Sequence, residues 1–75
     1  MNETFSVTYS TPDDRKGVVA EIWAGNEQVA EIHDDQGYFA IEFYAREAGE
    51  PWRFKLEDIT GIISSAVNGL QKKKR

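Results

Sequence analysis

Apolar and polar positions alternate along most of this chain, and near its end the period changes. Phe5, Val7 and Tyr9 interleave with Ser6, Thr8 and Ser10, and residues 18–24, 28–33 and 38–45 keep the same two-residue rhythm. That is the period of strands with one face on a core. From Leu56 to Leu70 the spacing becomes helical, with a stripe of Leu56, Ile59, Ile62, Ile63, Ala66, Val67 and Leu70. The segments between are turn chemistry. Residues 11–17 contain proline, two aspartates and glycine, Gly25-Asn26 closes the second strand, and Asp34-Asp35-Gln36-Gly37 suits a four-residue hairpin loop. Pro51 keeps Glu50 out of a helix, and Trp52, Phe54 and Leu56 alternate with Arg53 and Lys55 as an extended lead-in.

Parity then fixes the faces. Pairing Ala24 with Gln28 sets Ile22 opposite Ala30, Ala20 opposite Ile32, Glu21 opposite Glu31 and Trp23 opposite Val29. Pairing His33 with Tyr38 sets Ile32 opposite Phe39 and Ala30 opposite Ile41. One face is then wholly apolar (Val18, Ala20, Ile22, Ala30, Ile32, Phe39, Ile41, Phe43), and the helix stripe covers it. Gly61, inside the helix, costs roughly 1 kcal/mol against alanine, which points to a close approach of helix to sheet there. The expected architecture is α+β: an antiparallel four-stranded β-meander packed on one C-terminal α-helix, in the order β-β-β-β-α.

Seventy-five residues make one domain, here residues 1–71, followed by a basic tail, 72–75. A chain this short has a small core, and with no cysteine neither disulfides nor thiolate zinc sites support it. Nine aromatic residues are the remaining source of packing, and Trp52 is expected to anchor the core where strand passes to helix. No apolar run has the length of a membrane span, and the first residues lack the pattern of a secretory signal. The expectation is a soluble cytoplasmic protein with no membrane contact.

The net charge of −4 conceals an asymmetry. Lys72, Lys73, Lys74 and Arg75 carry four of the nine bases, so residues 1–71 hold thirteen acids against five bases, a balance of −8. A body so acidic repels phosphates. The tail either complements the negative end of the helix dipole or serves as a contact arm for nucleic acid.

What remains for function is the sheet face away from the helix. It carries Glu21, Trp23, Glu31, His33, Tyr38, Glu42 and Tyr44, with Val29 and Ala40 among them. Large rings interleaved with carboxylates suit a protein-binding surface, although cross-strand pairing on a wet sheet face uses the same residues. Trp23 and Tyr44 are the expected anchors, and the glutamates would steer a basic protein partner. Self-association into a homodimer through an edge strand or this face is a close variant. Small acidic cysteine-free proteins of bacterial or phage origin include inhibitors and immunity or anti-defence factors, an analogy of size and charge alone. The alternative is a nucleic-acid accessory protein that uses Lys72, Lys73, Lys74 and Arg75.

Catalysis finds little support in the residues. There is one histidine, no cysteine nucleophile and no phosphate-cradling glycine loop. Asp34-Asp35-Gln36-Gly37 is too short for a calcium loop. Glu21, Glu31 and His33 share a face near Tyr38, so a Glu–Glu–His metal site is conceivable, but a flat exposed sheet offers it no enclosure. The expectation is a non-catalytic chain with no cofactor and no metal.

Overall fold

The structure, a computed structural model, describes residues 4–13 and 17–73. Four strands, β1 (Phe5–Ser10), β2 (Val19–Ala24), β3 (Glu27–Asp35) and β4 (Tyr38–Phe43), precede one helix, α1 (Leu56–Lys73). The strands form one antiparallel sheet in the order β1-β2-β3-β4, a meander backed by the helix. The α+β class and the element order are those the periodicity predicts.

Register departs from expectation in two places, each with a local cause. Ile22 lies opposite Ala30, Ala20 opposite Ile32 and Glu21 opposite Glu31, but the pairing then slips so that Trp23 faces Gln28 and Ala24 faces Glu27. The slip is a β-bulge that leaves Val29 as the extra residue of β3. Val29 therefore does not sit opposite Trp23 on the outer face. It is fully buried and belongs with Ala30 in the core cluster.

The second departure is at the β3–β4 turn. Asp35 pairs with Tyr38, Asp34 with Phe39, His33 with Ala40, Ile32 with Ile41, Glu31 with Glu42 and Ala30 with Phe43. The loop is thus two residues long rather than four. Gln36 and Gly37 both take positive φ, 59° and 95°, which is the backbone of the hairpin turn whose twist matches its strands. The pairing slides by two residues from the expected one. An even slide keeps every side chain on its face, so the faces survive while each cross-strand partner on β4 changes.

The helix side of the sheet mixes alanines with β-branched residues. Ala20, Ile22, Ala24, Val29, Ala30 and Ile32 pack with Ala66 and Leu70, and Phe5, Val7, Tyr9, Trp52 and Phe54 close the margin. The helix lies over β2 and β1, where alanines let it approach. It does not cover the whole apolar face. Ile41 and Phe43 on β4 stay exposed, Phe43 at 57%. Leu56, at the first turn, is 76% exposed and leaves the core stripe to the later turns. Gly61 is also not the point of closest approach, since a Cβ there would meet nothing within 4 Å. That point is Gly69, where a Cβ would collide with the phenol of Tyr9.

Trp52 anchors the crossover. Its ring stacks on Phe54 at 5.3 Å, its indole N–H donates to the Tyr44 carbonyl at 2.8 Å, and the Arg46 guanidinium lies 4.7 Å from the ring centre. Phe54 in turn meets Phe5 of β1 at 4.9 Å. Glu57 and Asp58 in the first turn and Lys72 and Lys73 in the last suit the helix dipole. Among the described residues, no helix is long and apolar enough to cross a membrane.

Candidate functional site

The sheet face away from the helix carries a row of acids across three strands. Glu21 of β2 lies opposite Glu31 of β3, and Glu31 lies opposite Glu42 of β4. Like charges in directly opposed positions oppose sheet formation, so each carboxylate needs a compensating neighbour. The sequence supplies them by alternation, because hydroxyl residues of β1 and Tyr44, directly after β4, fall on the same face.

At the β1 end, Thr8 donates its hydroxyl to Glu21 Oε1 at 2.8 Å and Ser10 donates to Oε2 at 3.2 Å. Both oxygens of Glu21 are thereby engaged. Trp23 joins the same network, its indole N–H donating to Thr8 Oγ1 at 3.1 Å. The ring is half-buried rather than freely displayed.

At the β4 end, Tyr44 donates its hydroxyl to Glu31 Oε1 at 2.9 Å. The other Glu31 oxygen, Oε2, faces His33 Nδ1 at 3.7 Å, and Glu42 Oε1 faces the same nitrogen at 3.9 Å. His33, expected opposite Tyr38 on an exposed sheet face, is only 7% exposed and pairs with Ala40 instead. Val19 is buried as well, and by strand alternation it stands on the same side as His33. This face thus has an enclosed patch that a flat wet sheet lacks. Tyr38 lies by Asp35 at the hairpin, 61% exposed, with a long 3.5 Å hydroxyl contact to that carboxylate.

Of the seven residues expected on this face, the structure therefore divides them into two clusters and an outlier. Glu21 and Trp23 form a closed network with β1. Glu31, His33, Glu42 and Tyr44 converge at β3–β4, and Tyr38 stands apart at the hairpin. The conceivable Glu–Glu–His set is also re-assigned, with Glu42 beside His33 and Glu31 in place of Glu21.

Sequence reasoning missed a second exposed region, on the helix side of β4. Ile41 and Phe43 are left open there, and a groove of about 450 Å³ runs between residues 43–46 and 49–52. β4 is the sheet's last strand, so apolar or aromatic side chains are exposed on both of its faces. The alternation in residues 38–45 held this information, but only the helix's position over β1 and β2 shows which apolar positions stay bare.

In the basic tail, Lys72 and Lys73 form the helix's last turn, and the Lys73 ammonium lies 4.9 Å from the centre of the Tyr9 ring. Lys74 and Arg75 fall outside the described residues. Compared with protein-family models, with curated proteins and with solved structures, the chain gives no match in any of the three.

Proposed function

We propose that this chain is a small non-catalytic protein-interaction module that binds a basic protein partner through β4 and the acidic sheet face beside it. One observation carries the reading. Among the described residues, four of the five exposed large apolar or aromatic side chains, Tyr38, Ile41, Phe43 and Tyr44, lie on or directly after the edge strand β4. Exposed rings and aliphatics beside a row of carboxylates have the composition of a recognition surface, in which apolar contacts hold and charges steer. An edge strand adds unpaired backbone groups to the same surface. The acidic balance of the body supplies the complementarity to a basic partner.

The structure shifts the emphasis within this reading. Trp23 is half-buried and tied to Thr8, so the more exposed Tyr38 and, on the far side of the strand, Phe43 are the better anchors, with Tyr44 beside them. The engagement of Lys73 with Tyr9 supports the tail's role in holding the helix end.

The test is affinity capture from host lysate at low and high salt, with wild-type chain and a Tyr38→Ala/Phe43→Ser variant whose fold is checked by circular dichroism. The expected result is a protein retained at low salt, released at high salt and lost with the variant. Equal retention by the variant, or capture of nucleic acid alone, overturns the proposal. A wild-type chain that sediments as a dimer and captures nothing assigns the strand to self-association.

A further inference from the structure

We propose that Glu31, His33 and Glu42 form a binding site for a divalent transition cation of the zinc class. One potential ligand atom from each residue lies within 4.8 Å of the others. Acids in proximity are common, and the argument rests on the histidine. Its side chain is more than nine-tenths buried, and Nδ1 has no hydrogen-bond partner. That nitrogen points between the two carboxylates at nearly equal distances, 3.7 Å to Glu31 Oε2 and 3.9 Å to Glu42 Oε1.

Those distances are too long for hydrogen bonds, which close at about 2.7–3.2 Å. They are close to the spacing of two ligands on one metal. With bonds of about 2.0–2.1 Å, tetrahedral ligands stand about 3.3–3.4 Å apart. Contraction by a few tenths of an ångström brings Nδ1 to ligand spacing from each carboxylate, and the remaining span of the set, up to 4.8 Å, closes as the Glu42 side chain turns inward. Glu42, at 54% exposed, has room for that movement on the solvent side. The same side leaves a fourth position open to water.

The hydrogen bonds around the cluster agree. Tyr44 holds Glu31 by Oε1, which turns Oε2 toward the histidine, and such outer partners are what orient metal-binding carboxylates. Glu21, though opposite Glu31, is held through both oxygens by Thr8 and Ser10 and stays outside the ligand set. A bound cation would also neutralise the opposition of Glu31 to Glu42. One imidazole nitrogen with two carboxylates suits zinc and its neighbours better than magnesium or calcium, which take oxygen shells of six or more.

The experiment titrates Zn²⁺ into the metal-free chain by calorimetry, with Mg²⁺ in parallel, and follows the His33 ring nitrogens by NMR. Expected are one Zn²⁺ per chain, displacement of the Nδ1 resonance, a rise in Tm with Zn²⁺ that EDTA reverses, and no response to Mg²⁺. Glu42→Gln, an exposed position that tolerates the change, should weaken Zn²⁺ binding at least tenfold, and His33→Gln should abolish it. Zn²⁺ binding unchanged in Glu42→Gln, an unmoved Nδ1 resonance, or an equal response to Mg²⁺ overturns the site.

Discussion

Gly61 and Gly69 stand about two turns apart in α1, and their surroundings set opposite signs on the same substitution. Space around Gly61 is open, so Gly61→Ala gains helix propensity without a clash and should stabilise the chain by about 0.5–1 kcal/mol. At Gly69 a methyl group runs into Tyr9, whose hydroxyl donates to the Ala66 carbonyl at 3.3 Å and whose ring carries Lys73. Gly69→Ala should therefore destabilise by about 1–3 kcal/mol through overpacking, and urea denaturation of the two variants checks both signs. The helical period already separates them, since Gly61 falls on the side away from the apolar stripe and Gly69 at its margin. The placement of the helix over β1 and β2 adds the partner, setting Gly69 against Tyr9.

At the scale of elements, the β3–β4 hairpin decides what the outer face can do. A left-handed Gln36 costs about 1 kcal/mol or more relative to residues suited to that conformation. Gln36→Asn should raise stability by about 0.5 kcal/mol, and Gln36→Val should lower it by about 1 kcal/mol or more. Thermal denaturation reads both, and a four-residue loop would leave both near zero. Strand existence, direction and facing were legible because alternation depends on backbone pleat alone. Loop length was not, because Asp34-Asp35-Gln36-Gly37 satisfies turn chemistry at either length. The difference of two residues is what brings Glu42 beside Glu31 and His33. In the expected pairing His33 faced Tyr38, and the cluster did not exist. The bulge at Val29 was hidden for a related reason: an apolar residue at an outward position reads as a surface valine until the ladder slips.

Across the whole molecule, cover is uneven. β2 and β3 are flanked by strands on both sides, whereas β4 has one neighbour and an uncovered apolar face. Local opening should follow that gradient. Native-state hydrogen exchange is expected to show β4 amides exchanging well before those of β2 and β3, and uniform protection across the sheet would contradict this account of the helix's placement. The grip of α1 on Tyr9 has a consequence for synthesis. The ribosome delivers all four strands before it delivers the helix that covers them, and hairpins close faster than the chain is made. The nascent sheet therefore carries Ala20, Ile22 and Ile32 bare to water until Ala66, Gly69 and Leu70 emerge. During that interval the growing chain is a natural client for chaperones, and the turn of helix that meets Tyr9 ends it.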